Sequence, residues 1–191
     1  MFGVKELKAP VFKGTSIANI NDYCQKVHQT DAFLRIAKSV GLLDVSIIMP
    51  FKWYDAYLTQ AAVIEVSREL GMSLREFSLN VSKYGLEKDL RAVYKFYLRL
   101  SGAVNVLKNA AKIASTYTNF SSYKIIENSN GLHIAEVEFP SELKTYFLAL
   151  LEGSLSGILS ICNARLLSFM ITEEIKLADG TIKCKIETRY K

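Results

Sequence analysis

The side chains most able to hold a metal ion or attack a substrate are those of three cysteines and two histidines. They are Cys24, Cys162, Cys184, His28 and His133. A zinc site needs about four clustered cysteine or histidine ligands, or three and a water, but the cysteines are widely spaced and form no Cys-x-x-Cys pair. Cys184 stands between Ile182 and Ile186, where a free cysteine behaves as a small hydrophobe. We therefore expect no metal site and no disulfide framework, and the odd cysteine count favours a reducing, cytoplasmic location.

Signatures of enzymes are missing from the sequence. It contains no Gly-x-Ser-x-Gly, no phosphate-binding loop, no Gly-x-Gly-x-x-Gly and no His-Glu-x-x-His. Glu173 and Glu174 are adjacent on a predicted strand, so their carboxylates point to opposite faces and cannot act as one acid–base pair. We expect a protein that is not an enzyme.

A basic row is predicted on one helix face. Its members are three, four and four residues apart, and they are Lys88, Arg91, Lys95 and Arg99. Such a face can meet phosphate, an acidic partner or an anionic membrane surface, but a solvated helix shows the same row. Single-strand binders interleave exposed aromatic residues with their cations, and this row has none, so nucleic acid is not expected.

Aromatic and small residues supply candidates for a ligand cavity. Aromatic side chains dominate cores and interfaces alike, so the group can wall a pocket, form a dimer contact or fill the core. His133 lies on a predicted strand and is more simply interpreted as a partly buried histidine with satisfied hydrogen bonds than as a ligand. The cavity candidates are Trp53, Tyr54, Tyr57, Tyr97, His133, Phe147, Gly153, Gly157 and Cys184.

These residues have to be positioned by a helical first part. Apolar residues at helical spacing predict helices over 31–40, from Asp55 to about Leu70, from Ser73 to Gly85, over 87–100 and over 103–117. Residues 43–49 are rich in β-branched residues and end at Pro50, which predicts an extended connector.

Residues 119–191 have the pattern of an antiparallel sheet crossed by one helix. Strands are predicted over 122–127, 132–139, 166–177 and 181–190, with turns at Asn130-Gly131 and Asp179-Gly180. Pro140 begins a long helix. In the last strand Ile182, Cys184 and Ile186 alternate with charged residues, which is typical of a sheet with one buried face. The predicted fold is α+β: a helical part, 1–118, packed on a C-terminal ββαββ unit, 119–191.

Length and composition limit the number of domains and argue against membrane-spanning or signal segments. The chain has 191 residues, is 50% hydrophobic and carries a net charge of +5. At about 150 residues per domain, this predicts one domain. No run of about 18 apolar residues predicts a transmembrane helix, and the first residues show no apolar signal-peptide core.

The C-terminal part resembles a known superfamily. The residues that carry the resemblance are Gly153-x-x-x-Gly157, Glu173-x-x-Lys176, Gly180 and Cys184. They resemble the four-vinyl-reductase-type domain, whose pattern is Glu-x-x-Cys-x-x-x-Gly-x-x-x-Cys, with Lys176 in place of the first cysteine. The same superfamily includes the heme nitric-oxide/oxygen-binding (H-NOX) domains and the TRAPP vesicle-tethering subunits.

The front half resembles an uncharacterised bacterial family of this superfamily that is expanded in myxobacteria. The segments concerned are Lys13-Gly14-Thr15, Pro50-x-x-Trp53-Tyr54 and Glu69-Leu70-Gly71. The resemblance implies a sensor-like or scaffold-like domain with a cavity between helices and sheet.

The H-NOX resemblance raises the question of heme. H-NOX domains hold heme through a histidine on a helix before the sheet, and residues 103–118 contain no histidine. The Tyr-x-Ser-x-Arg motif that binds the heme propionates is also absent from 166–177. We therefore expect no cofactor, with heme disfavoured.

Two functions follow. The first is a non-enzymatic sensor or regulatory domain that binds a small apolar ligand or a partner protein through the cavity region. The alternative is a homodimeric assembly module like the TRAPP subunits, because an apolar helical half predicts a symmetric, hydrophobic interface.

Overall fold

The fold places a helical part against one face of a four-stranded sheet. The computed structural model describes residues 9–44, 47–93 and 102–191, with the backbone alone at 91–93. The helices are α1 (Gly14–Val27), α2 (Ala32–Ser39), α3 (Ala56–Glu69), α4 (Leu74–Val93), α5 (Ala110–Tyr117) and α6 (Lys144–Ile161), and residues 102–107 are also helical. The strands are β1 (Val11–Lys13), β2 (Trp53–Asp55), β3 (Ser122–Ser129), β4 (Leu132–Pro140), β5 (Leu166–Lys176) and β6 (Thr181–Tyr190). The predicted α+β class is confirmed.

The C-terminal sheet agrees with the sequence pattern. Its order is β3-β4-β6-β5, and every neighbouring pair is antiparallel. Along β6, Ile182, Cys184 and Ile186 are buried on the face that α6 covers. The helix does not begin at Pro140, because a 3₁₀ turn over Ser141–Leu143 comes first.

Helix α6 is the central element, since it lies between the sheet and α4. On the sheet side, the Phe147 ring lies 4.8 Å from that of Phe139 on β4. On the other side, α4 passes so close that a Cβ at Gly153 would collide with the Leu79 carbonyl oxygen. The glycine pair therefore serves contact between two helices, whereas the sequence made Gly153 and Gly157 candidates for a ligand cavity.

The predicted break at Gly85 is wrong. Helix α4 runs through Gly85 without interruption, from Leu74 to Val93. The side chain of Asn19 on α1 fills the space beside Gly85, where a Cβ would lie 2.8 Å from the Asn19 Nδ2 atom. The glycine is there for a close contact with α1, which local sequence does not reveal.

The N-terminal segment closes the helical part. Strand β1 pairs antiparallel with β2, and the Asn119 side chain accepts a hydrogen bond from the Val11 amide at 2.8 Å. The sequence analysis assigned neither β1 nor α1. In the part of the chain that the structure describes, no helix is both long and apolar enough to cross a membrane.

Candidate functional site

A cavity of about 120 Å³ lies where α1, α4, α5 and α6 meet, next to β1 and β3. Most of its wall is apolar, because each helix turns an aliphatic or aromatic stripe towards it. Examples are Ile20, Val81, Leu86, Ile113, Phe147 and Leu155. The stripes follow helical periodicity: on α4 the lining residues Val81 and Gly85 are one turn apart, as are Ser82 and Leu86. The cavity is therefore a product of helix packing, and it is partly open to solvent.

Three polar side chains meet at one place in this wall. Asn19 donates a hydrogen bond from Nδ2 to the Asp89 Oδ2 atom at 2.9 Å, and the Tyr117 hydroxyl donates to the same oxygen at 3.1 Å. Asn19 is only 7% exposed, and burial together with the Asp89 carboxylate raises the pKa of Tyr117. We call Asn19, Asp89 and Tyr117 the polar corner.

A neighbouring ion-pair network holds the polar corner in position. Lys88 contacts Asp22 at 2.9 Å and donates to the Asn19 Oδ1 atom at 3.3 Å. Burial alone would raise the pKa of Asp22, but hydrogen bonds from Lys88, Tyr84 and Lys26 lower it to about 2. Since Lys88 occupies Oδ1, the amide of Asn19 is oriented with Nδ2 towards Asp89.

Other polar groups of the wall have partners within the protein. The Ser82 hydroxyl donates to the Leu150 carbonyl at 2.6 Å and pairs with the Ser154 hydroxyl at 2.7 Å. The Thr118 hydroxyl pairs with Ser121 at 2.7 Å. The polar corner differs from these hydroxyl pairs, because there the carboxylate of Asp89 is part of the cavity wall.

His133 belongs to a separate buried network. Its Nε2 atom lies 2.7 Å from the Tyr123 hydroxyl and its Nδ1 atom lies 3.1 Å from the Asn128 Oδ1 atom. Asn128 in turn donates to the Val104 carbonyl at 2.7 Å, which fastens the β3–β4 hairpin to residues 102–107. Burial lowers the pKa of His133 to about 4. Both ring nitrogens have hydrogen-bond partners, so His133 is a core residue with satisfied polar atoms.

The structure separates most of the cavity candidates from the cavity. Phe147 lines it. Gly153 and Gly157 face α4, and Cys184 is fully buried under the sheet. Tyr97 lies outside the described residues.

The aromatic group near residue 53 lies elsewhere on the molecule. Trp53 and Tyr57 are each 40% exposed, and the Lys13 ammonium lies 4.7 Å from the Trp53 ring centre. Tyr54 is buried, and its hydroxyl accepts a hydrogen bond from the Met49 amide at 2.8 Å. The short β1–β2 pair holds these residues beside the start of α1, and none of the three lines the cavity.

The basic row and the cysteines form no site among the described residues. Lys88 is paired with Asp22, the side chain of Arg91 is not described, and Lys95 and Arg99 lie outside the described residues. Burial raises the pKa of Cys24 to about 12 and also raises that of Cys184. In the described ranges, no three His, Cys, Asp or Glu side chains are grouped so that they could hold a metal ion.

Comparison with solved structures identifies the architecture. A Cs H-NOX mutant with 4-cyano-L-phenylalanine at site 5 superposes with a TM-score of 0.74 at 17% identity, covering 94% of this chain and 96% of the other. An oxygen-binding H-NOX domain related to soluble guanylate cyclases gives 0.69 at 18% identity, covering 94% and 95%. A structure that probes heme distortion in the H-NOX family gives 0.71 at 18% identity, covering 94% and 95%.

The chain has an H-NOX-like fold. No protein-family model and no curated protein sequence matches it. The resemblances to the four-vinyl-reductase, TRAPP and myxobacterial proteins stay predictions.

The H-NOX-like fold corrects the expectation about cofactors. From the missing histidine and the missing Tyr-x-Ser-x-Arg motif we expected no cofactor. That expectation is contradicted, because the structural neighbours are H-NOX domains and studies of them concern heme distortion and heme redox potential. Heme is the group that these neighbouring structures concern, so it is the group against which the cavity has to be compared.

The cavity residues themselves do not fit heme in the geometry described. Heme iron takes an axial His, Cys, Met or Tyr ligand, and among the described lining residues only tyrosines are of these types: Tyr117, Tyr123 and Tyr146. The Tyr117 hydroxyl is hydrogen-bonded to Asp89, and the Tyr123 hydroxyl is hydrogen-bonded to His133. Burial raises the pKa of these two tyrosines and of Tyr146. About 120 Å³ is close to the ~150 Å³ of a cavity that holds benzene, which is room for a single small ring and far less than a porphyrin occupies.

Sequence reasoning missed all three residues of the polar corner. Asn19 lies on helix α1, which was not predicted, and Asp89 lies next to Lys88 of the basic row, where only the cations were considered as candidate site residues. A glycine inside a helical pattern can have a packing reason, but nothing local to Gly85 identifies Asn19 as its neighbour.

Proposed function

We propose that this chain is a non-enzymatic sensor domain that binds a small ligand in the cavity between α1, α4, α5 and α6. The observation that carries the proposal is an apolar cavity with one partly buried, hydrogen-bonded polar corner. Largely apolar pockets with a few convergent polar groups are typical of small-molecule sites. The H-NOX-like fold supports the sensor interpretation, since one neighbour is described as an oxygen-binding domain.

The energetic cost of the cavity also supports a ligand. Around an unfilled cavity the apolar wall lacks van der Waals partners, which destabilises the folded chain. A molecule that fills it restores the lost contacts. Because four helices contribute to the wall, a ligand contacts all of them, and it can shift the domain between two shapes if it binds one of them more tightly.

Ligand binding can be tested with a filled cavity. Ala114 on α5 lines the cavity and Ala111 on the same helix does not, so Ala114→Phe fills the space and Ala111→Phe is the matched control. We expect toluene to bind the wild type and Ala111→Phe, with binding to Ala114→Phe reduced at least tenfold. Hemin is titrated in parallel as the second probe. Ligand-observed NMR measures toluene, and a Soret band measures hemin.

The result also identifies the kind of ligand. A Soret band that Ala114→Phe abolishes assigns heme to the cavity, and toluene binding alone assigns a smaller apolar ligand. If neither probe binds the wild type, or if both bind Ala114→Phe as tightly as the control, the proposal is wrong.

Homodimer formation is the second candidate, and the edge strand β5 favours it. Met170 is 46% and Ile175 54% exposed on this strand, which lies at the edge of the sheet. A long edge strand with apolar side chains is a template for pairing. A second copy of β5 would continue the antiparallel order and close the assembly by two-fold symmetry.

The oligomeric state tests this candidate. We expect light scattering to give twice the 21.5 kDa chain mass, with Ile175→Lys shifting the protein to the monomer. Ile126→Lys is the matched control, because Ile126 is 45% exposed on β3 at the opposite edge. A wild-type protein that stays monomeric at high concentration contradicts the dimer. The cytoplasmic location stays a prediction.

A further inference from the structure

Among the described residues that line the cavity, Asp89 is the one with a charged side chain. It lies on α4 one turn after Gly85 and Leu86, on the stripe that faces the cavity. An isolated carboxylate in apolar surroundings is costly unless hydrogen bonds or an opposite charge compensate it. The partners of Asp89 therefore indicate what the cavity is built to receive.

The described partners of Asp89 are neutral donors that both use one oxygen. Asn19 and Tyr117 donate to Oδ2, whereas the nearby Lys88 is paired with Asp22 and the Asn19 carbonyl oxygen. Helix neighbours three or four positions away are the ones able to form an intrahelical ion pair. For Asp89 these are Gly85, Leu86, Ala92 and Val93, none of which carries a charge.

The polar corner is built rather than incidental. Asn19 is more than nine-tenths buried, its amide is oriented by Lys88, and it reaches Asp89 only because Gly85 has no side chain. Tyr117 approaches the same oxygen from α5. Three helices thus hold one carboxylate oxygen, Oδ2, of a residue that lines the cavity, and among the described residues none donates a hydrogen bond to the other oxygen, Oδ1.

We infer that the ligand is a small, mostly apolar molecule with a hydrogen-bond donor, such as a hydroxyl or N–H group, that Asp89 recognises. The inference rests on the proposed function and adds the chemical class of the ligand. A donor paired with a carboxylate forms a charge-assisted hydrogen bond, which is shorter and stronger than a neutral one. A hydrocarbon of the same shape fills the cavity but leaves the carboxylate without this partner.

Phenol and toluene test the inference, because they have similar shapes and differ by a hydroxyl in place of a methyl group. The measured quantity is the ratio of the toluene Kd to the phenol Kd, obtained by NMR titration. We expect this ratio to be at least about tenfold larger for the wild type than for Asp89→Leu. Asp31→Leu, which removes an exposed carboxylate outside the cavity wall, is expected to keep the wild-type ratio.

The outcomes separate the inference from the proposed function. If both probes bind and the ratio is the same in the wild type and Asp89→Leu, Asp89 does not recognise a donor, and the cavity proposal stands. If neither probe binds the wild type, the single-ring ligand class fails, and the hemin titration above decides the cavity proposal. If Asp89→Leu does not fold, Asp89→Asn, which keeps the shape, decides the question with an expected fall of about threefold in the ratio.

Discussion

The polar corner shows how single residues with ordinary roles combine into a site. The Asn19 amide has one orientation because its Oδ1 atom accepts a hydrogen bond from Lys88. Its Nδ2 atom therefore donates to the Asp89 carboxylate. Buried polar groups need such partners, since an unsatisfied one costs about 1–3 kcal/mol. Gly85 is part of this arrangement although it has no side chain, because it provides the space that Asn19 uses.

Gly85→Ala tests this role directly. In an exposed helix the change would stabilise by up to about 1 kcal/mol through helix propensity. Here we expect the free energy of unfolding to fall by about 1–2 kcal/mol, because the new Cβ displaces Asn19 from Asp89. Urea unfolding measures it.

The double variant provides the control. Adding Asn19→Gly removes all three side-chain atoms that the new Cβ would strike, including the Asn19 Cβ at 2.9 Å, so Gly85→Ala is expected to cost nothing further in that background. A stabilising effect of Gly85→Ala in the wild-type background contradicts the close-contact role.

His133 makes stability depend on pH. Its pKa is about 4 in the folded protein against an ordinary value of 6.5, because burial disfavours the charged ring. Between these values the unfolded chain binds a proton that the folded chain does not, so stability falls as the pH falls. We expect the free energy of unfolding to decrease by about 2 kcal/mol from pH 7.5 to pH 5.0.

Urea unfolding at the two pH values checks this prediction. His133→Gln has no ring to protonate and should lose most of the decrease. His28→Gln is the comparison, because it removes the other histidine and leaves the buried one in place. A decrease that persists unchanged in His133→Gln would assign the pH dependence to other groups.

At the scale of elements, the contact between α4 and α6 organises the helical part. Gly153 and Gly157 are one turn apart on α6, and both face carbonyl oxygens of α4. Close approach of two helices requires small residues where the backbones meet, because packed interiors have no spare volume. The stripe that α4 presents to the cavity is held in place by this contact.

The two glycines are expected to differ in their tolerance of alanine. At Gly153 a Cβ would collide with the Leu79 carbonyl, which is backbone and cannot move aside, so Gly153→Ala should destabilise by about 2–3 kcal/mol. At Gly157 the nearest atom is the Lys83 carbonyl oxygen at 3.1 Å, and the gain in helix propensity offsets the strain, so Gly157→Ala should change stability by less than about 1 kcal/mol. Urea unfolding of the two variants decides, and equal losses would show that the helices do not meet closest at Gly153.

At the scale of the molecule, the cavity connects the N-terminal helices to the sheet. Its wall includes Phe12 of β1, Asp89 of α4, Tyr117 of α5 and Tyr123 of β3. A ligand that binds this wall contacts both parts of the fold. Binding is therefore expected to stabilise the folded chain rather than one local element.

Thermal unfolding measures this linkage. A ligand that binds only the folded state stabilises it by about 1.4 kcal/mol at ten times its Kd. For a chain of this size the shift in Tm is about 3–6 °C. We expect phenol to raise the Tm of the wild type by this amount and to leave Ala114→Phe unchanged, whereas an equal shift in both would place the binding site outside the cavity.

The sequence by itself determined the C-terminal sheet and the helix that crosses it. Ile182, Cys184 and Ile186 alternate with charged residues, and such a pattern is local, since neighbouring residues on a strand face opposite sides. Tertiary structure decided the cavity and its polar corner. Asn19 and Asp89 are 70 positions apart and Asp89 and Tyr117 are 28 apart, so only the packing of three helices brings them together. For the same reason Gly85 was taken for a helix end: its neighbour Asn19 is distant in sequence, and no local pattern reports a long-range contact.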